Sequence, residues 1–181
     1  MHRWLLLLGW LATPALATVE HVKVSQQEGR YEIVVEALLQ APLPAVHALL
    51  ADPAGYPALN DRIREARLLG EPAGGVQRVR IVSRPCVLLV CTTLIQVQDF
   101  TYTDDRVHAV IVAQGSDFRE GVSEWRLRAE GDATRLSFQA RLTPAFRVPP
   151  LLGHWAARRA LRNETLRTLE RLELLARQAQ P

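Results

Sequence analysis

The feature that most constrains this chain is its last third. From Leu151 to Arg177 there is no proline, and no glycine after Gly153, directly behind a long run of alternating strand patterns. That segment predicts one helix about 40 Å long at 1.5 Å per residue. Its apolar stripe is Leu152, Trp155, Leu166, Leu169 and Leu172. Arg158, Arg162, Arg167, Arg171 and Arg177, interleaved with Glu164, Glu170 and Glu173, form a solvated surface. The strands are one-sided. Tyr31, Ile33, Val35 and Ala37 oppose Arg30, Glu32 and Glu36, and Leu136, Phe138, Ala140 and Leu142 oppose Arg135, Ser137, Gln139 and Arg141. An antiparallel sheet with one apolar face must cover it, and only the last helix is large enough.

The pass along the chain gives a strand over 30–39 and a short helix from Pro44 to Leu50 that ends at Asp52-Pro53. One more helical turn follows near Tyr56-Pro57. Further strands are expected near 65–69, 76–82, 91–100, 106–113, 122–129 and 135–143, with a tight turn at Gly131-Asp132. Residues 18–29 read as a polar lead-in. The fold class is therefore α+β: a curved antiparallel sheet of about seven strands around a long C-terminal helix, with two short helices after the first strand.

The N-terminus reads as an export signal. Met1-His2-Arg3 is basic, Trp4 to Ala17 is uncharged, and Ala15-Leu16-Ala17 offers small residues for cleavage. The apolar run is shorter than the roughly twenty residues that span a bilayer. The expected mature chain starts at Thr18 and is periplasmic. Lys and Arg number 22 against 19 Asp and Glu, and one of the basic residues is Arg3 of the signal. So small an excess carries no nucleic-acid signal.

Outside the cytoplasm, the close pair Cys86 and Cys91 is expected to be a disulfide. On a straight strand their odd spacing puts them on opposite faces, so a bridge requires the chain to turn between them. No further Cys or nearby His completes a metal set. The Val-Leu-Leu-Val stretch between them permits a membrane contact without indicating one. The histidines, His47 and His154 among them, lie on separate elements and read as surface or capping residues. No GxSxG, HExxH, Walker or paired-carboxylate motif is present, and no cofactor is called for.

The order of elements resembles the START-like, or SRPBCC, superfamily, the polyketide cyclase/dehydrase and lipid-transport group. Three segments carry the resemblance. They are Ala41-Pro42-Leu43-Pro44-Ala45-Val46-His47-Ala48-Leu49-Leu50-Ala51-Asp52 with Tyr56-Pro57 and Leu59-Asn60, then Gly121-Val122-Ser123-Glu124-Trp125-Arg126-Leu127 with Gly131-Asp132-Ala133-Thr134-Arg135-Leu136, and Leu142-Thr143-Pro144-Ala145-Phe146-Arg147-Val148-Pro149-Pro150. The resemblance covers nearly all of 30–177. It implies a helix-grip fold with an apolar cavity for a lipid, quinone or polyketide-like molecule, and it carries over no catalytic residues.

Periodicity cannot separate a cavity from a filled core, because both require the same apolar face. The resemblance favours a cavity lined by Tyr31, Ile33, Val35, Val79, Ile81, Ile95, Val97, Trp125, Leu127, Phe138, Leu142 and Trp155, with Asp99, Asp117, Arg119 and Arg147 as polar candidates at its mouth. The expected function is a monomeric carrier or binder of a hydrophobic small molecule. The alternatives are a cyclase or dehydratase using the same cavity, and a filled-core interaction domain.

Overall fold

The computed structural model describes residues 18–87, 90–146 and 153–179. The expected signal at 1–17, the middle of the Val-Leu-Leu-Val stretch and Arg147 lie outside the described residues. The elements are β1 (Thr18–Gln27), β2 (Arg30–Leu39), α1 (Leu43–Leu50), a 3₁₀ turn (Pro53–Gly55) and α2 (Tyr56–Leu59). They continue with β3 (Ile63–Gly70), β4 (Gln77–Ser83), β5 (Cys86–Val87), β6 (Val90–Cys91), β7 (Leu94–Thr103), β8 (Arg106–Ile111), β9 (Phe118–Glu130), β10 (Ala133–Pro144) and α3 (Gly153–Gln178).

Eight strands form one antiparallel sheet in the order β1-β2-β10-β9-β8-β7-β4-β3, and β5 and β6 make a separate hairpin. The last long strand returns beside β2, so early and late parts of the chain lie side by side in an open sheet whose edges are β1 and β3. The helices α1 and α2 carry the chain from β2 to the far edge at β3, from which neighbouring strands step back to β10. Pro44 sits in the first turn of α1, as its sequence position suggests. The α+β helix-grip architecture is thus the observed one, with eight strands in the main sheet.

The additional strand is β1, over residues read from sequence as a lead-in. It pairs with β2 from Thr18↔Leu38 to Gln27↔Arg30, with a register break between Val19 and His21. That bulge inserts one residue, so Val19, Val22 and Val24 pack against the core although their spacing is not a clean period of two. The β1–β2 turn uses Glu28 and Gly29, both at positive φ, where glycine is cheapest.

The sheet's two faces separate apolar from charged residues. Val35, Ala37, Leu39, Leu127, Leu136 and Val79 are buried on the inner face, against Val46 and Leu50 of α1 and Leu169, Leu172 and Ala176 of α3. The outer face carries ion pairs between strands, some neighbouring and some one strand further apart. Arg141 meets Glu32, Arg30 meets Glu120, Arg135 meets Glu130 and Glu20, and Arg78 forms a two-point pair with Asp99 at 2.7 and 2.8 Å. Each exposed pair contributes little on its own, because water and salt screen it. Their collective effect is to favour one strand register.

Candidate ligand site

The site is built by how α3 is held. Its C-terminal half is clamped to the rest of the fold. Glu173 accepts the Gln40 backbone N–H at 2.9 Å, Asn60 donates to the Thr168 hydroxyl at 2.9 Å, and Arg171 donates to the Ala58 carbonyl at 3.1 Å. Leu169, Leu172, Glu173 and Ala176 are buried there. One and two turns earlier on the same stripe, Leu161 and Thr165 are only half-buried. The same helix face is therefore in full contact with the fold at one end and incompletely covered at the other.

The inner face of the sheet shows the same contrast. Cross-strand partners share a face, which sets three rows across the middle strands. Val35, Phe138, Trp125, Val107 and Tyr102 form one row. Ile33, Ala140, Ser123, Ala109 and Phe100 form the next. Tyr31, Leu142 and Gly121 form the third, continued by Ile111 and Gln98 on β8 and β7. The middle row has three consecutive small side chains, Ala140, Ser123 and Ala109. Trp125, Phe138, Ser123 and Leu142, at the centre of an eight-stranded sheet, all keep partial solvent access. The Trp125 and Phe138 rings stack with centroids 4.0 Å apart. Gly121 sits where a Cβ would meet Leu142 Cδ2 at 2.7 Å and Ile111 Cγ1 at 2.8 Å, so those two side chains close over a bare backbone.

Besides the Ser123 and Thr134 hydroxyls, the polar groups on this face are amides and phenols. Gln98 is buried, and its Nε2 donates to Gln96 Oε1 at 2.5 Å. Tyr31 is buried and its hydroxyl has no hydrogen-bond partner among the described residues. Burial raises its pKa, and the Tyr102 phenol is pushed up to about 12, chiefly by burial and then by the Asp52 charge. Tyr56 is raised further, first by burial and then by Tyr102 and Asp52, and donates to the Leu50 carbonyl at 2.8 Å. These phenols are protonated at neutral pH. They serve as hydrogen-bond donors rather than bases.

Nine of the twelve residues expected to line a cavity lie on the inner face: Tyr31, Ile33, Val35, Val79, Ile81, Trp125, Leu127, Phe138 and Leu142. Ile95 and Val97 do not. They pair with Val82 and Arg80 on the outer side, while Gln96 and Gln98 pair with Ile81 and Val79. Val97 is buried because the 112–117 loop folds over it, with the Val112 N–H bonded to the Val97 carbonyl at 2.8 Å. Apolar character therefore misassigned the face of β7. Phe100 and Tyr102, in phase with Gln96 and Gln98, held the correct signal. Trp155 is 62% exposed at the start of α3 and lies outside the sheet face.

The polar mouth candidates have other tasks. Asp99 is paired with Arg78 on the outer face, whose hydrogen bonds hold its carboxyl below the usual range. The Asp117 carboxylate accepts the Ile95 N–H at 2.6 Å and fastens the 112–117 loop to β7. Arg119 is exposed and donates to the Pro144 carbonyl at 3.2 Å. His47 bonds the Thr103 carbonyl through Nε2 at 2.7 Å and ties α1 to the β7–β8 turn.

The cysteines do form a disulfide. The chain turns between β5 and β6, which makes Cys86 and Cys91 directly opposed cross-strand partners with Cα atoms 4.0 Å apart. This hairpin rests on the first half of α3. A cleft of about 140 Å³ lies between them, bounded by Cys86, Trp155, Ala156, Arg159, Ala160 and Arg167. Among the described residues, no helix is long and apolar enough to cross a membrane.

An antiparallel sheet gripping a C-terminal helix, apolar inside and paired in charge outside, defines a helix-grip domain. The chain belongs to the polyketide cyclase/dehydrase and lipid transport family, whose model matches residues 39–166. Solved structures share the fold. A START superfamily protein from Mycobacterium smegmatis is 18% identical, with a TM-score of 0.61 over 82% of this chain and 99% of that one. The Zhui aromatase/cyclase from Streptomyces sp. R1128 is 16% identical, with a TM-score of 0.65 over 82% and 94%. A STAR-related lipid transfer protein from Xanthomonas axonopodis is 15% identical, with a TM-score of 0.58 over 86% and 98%. A comparison with curated protein sequences finds no match.

Proposed function

We propose that this protein binds and carries a hydrophobic small molecule between the inner face of the sheet and the first half of α3. One observation carries the reading: Trp125, Phe138 and Leu142, central on the inner face of the sheet, are incompletely covered, as is the inner stripe of the first half of α3. Apolar ligand surface placed there gains roughly 2.5 kcal/mol per 100 Å². In the row of small side chains, Ser123 keeps partial solvent access between the buried Ala140 and Ala109. The Tyr31 hydroxyl has no acceptor among the described residues. A ligand oxygen reaching it recovers a hydrogen bond worth about 1 kcal/mol. The family's lipid-transport and cyclase members support this ligand class.

The protein acts outside the cytoplasm as a monomer. The signal pattern and the disulfide support export, and cleavage after Ala17 leaves all of β1 intact. N-terminal sequencing of the mature protein is expected to start at Thr18. An unprocessed Met1 terminus on protein recovered from the native cell would overturn the export reading.

The binding claim is tested by titrating an apolar fluorescent probe and displacing it with lipids and quinones. Saturable 1:1 binding that weakens on filling the small-residue row, as in Ser123→Leu, is the expected result. An absence of saturable binding to the wild type overturns the proposal.

A further inference from the structure

The disulfide stands apart from the main sheet. Among the described residues, β5 and β6 pair with each other through Cys86↔Cys91 and Val87↔Val90, outside the eight-stranded ladder. The bridge closes this hairpin alone, over a sequence separation of 5, so opening it breaks no contact between the strands of the sheet. Its two sulfurs have different surroundings. Cys91 is exposed and Cys86 is half-buried. Arg62, just before β3, donates from Nη1 to the Cys86 Sγ at 3.3 Å. The backbone fixes that arginine beside the hairpin. Its N–H donates to the Asn60 side-chain oxygen at 2.9 Å, and its carbonyl accepts the Arg84 N–H, two residues before Cys86, at 2.7 Å. The other charged groups around Cys86 are Asp61 and Glu164, 3.7 and 3.6 Å from Arg62 Nε, and Arg159 and Arg167 on the α3 wall. Asp61 is largely in solvent, and Glu164 is shared between Arg62 and Arg167.

We propose that Cys86 and Cys91 form a thiol–disulfide exchange site served by a dithiol, with Cys91 as the sulfur attacked and Cys86 as the leaving group. A thiolate of the dithiol bonds to the Cys91 Sγ. The Cys86–Cys91 bond breaks, and its electron pair leaves on the Cys86 Sγ as a thiolate beside the Arg62 guanidinium. The second thiolate of the dithiol then attacks the mixed disulfide and releases the Cys91 sulfur. The dithiol ends as a disulfide, oxidised by two electrons, and the cysteine pair is reduced by the same two. The two protons that the dithiol loses are balanced by those that the cysteine sulfurs take up. A leaving thiol of lower pKa departs faster, and a neighbouring arginine lowers a thiol's pKa. Exposure therefore selects the sulfur attacked, and Arg62 favours the departure of the other.

The first test treats the native protein with 2-mercaptoethanol, quenches it with iodoacetamide and maps the adducts by fragmentation mass spectrometry. A mixed disulfide on Cys91 with alkylated Cys86 is the expected product. An adduct on Cys86, or an equal division, overturns the proposal. The second follows reduction by dithiothreitol in wild type, Arg62→Gln and Arg62→Lys, with circular dichroism recorded alongside. Thiols are expected to appear while the sheet signal is unchanged, about threefold more slowly in Arg62→Gln and near the wild-type rate in Arg62→Lys. A bridge that opens only as the sheet unfolds is a structural staple, and that result overturns the exchange site. In Cys91→Ser, the pH profile of Cys86 alkylation is expected to lie below the ordinary thiol value of about 8.5 and to move up when Arg62→Gln is added. A profile that Arg62→Gln leaves in place overturns the role of the arginine. Neither test involves a ligand, so the carrier reading is unaffected by their outcome.

Discussion

Gly121 and Ser123 are neighbours on the same inner face and make opposite predictions. A Cβ at Gly121 would sit 2.7 Å from Leu142 Cδ2, 2.8 Å from Ile111 Cγ1 and 3.1 Å from the Arg141 carbonyl oxygen. The side-chain tips can yield and the carbonyl cannot. Overpacking of this kind costs about 1–3 kcal/mol, against about 0.4–1 kcal/mol that Gly→Ala returns by restricting the unfolded chain. Gly121→Ala is therefore expected to lower the melting temperature by several degrees, at roughly 2–4 °C per kcal/mol for a chain of this size. Ser123→Leu adds far more volume one pleat away, where the row is Ala140, Ser123 and Ala109. If the space above that row is open, the leucine enters it and stability changes by less than about 1 kcal/mol, while probe affinity falls. Thermal unfolding followed by circular dichroism, beside probe titration, reads both. Equal destabilisation by the two substitutions would refute the open space. A neutral Gly121→Ala would refute the close approach.

Other expectations follow from the same geometry. Replacing both cysteines by serine removes a closed loop of sequence separation 5 and is expected to cost about 2 kcal/mol, as is full reduction with dithiothreitol, read by thermal melts. Leu172→Ala empties a fully buried position against the sheet and is expected to cost about 2–5 kcal/mol in urea titrations. Arg78→Ala probes the Asp99 pair, whose carboxyl is held below its ordinary value. A lowered folded-state pKa contributes stability above the unfolded value and loses it as pH falls through the folded value. The variant is thus expected to be slightly less stable at neutral pH, by an amount that salt reduces. That difference should vanish in strong acid; one that grows on acidification contradicts the assignment.

The fold was largely legible because its strands are one-sided and its last helix is uninterrupted. The alternation in β2 and β10 gave the inner face of each correctly, since charged and polar residues mark the outer side. β7 was not legible in this way. Ile95 and Val97 alternate with Gln96 and Gln98, and both faces of this strand are covered, one by the core and the other by the 112–117 loop. Tertiary cover, which local pattern does not encode, decided the matter. β1 escaped notice because a single bulge shifts its phase. The disulfide was readable from the oxidising compartment that the N-terminus implies, while its place as a wall beside α3 required the hairpin to be built.

The central claim is that the space beneath α3 holds a ligand, and native mass spectrometry of the protein recovered from its own cell tests it most directly. One apolar molecule per chain, released on unfolding and excluded by Ser123→Leu, is the predicted result. A bare mass in every preparation, with no rise in melting temperature across a panel of lipids and quinones, would contradict it.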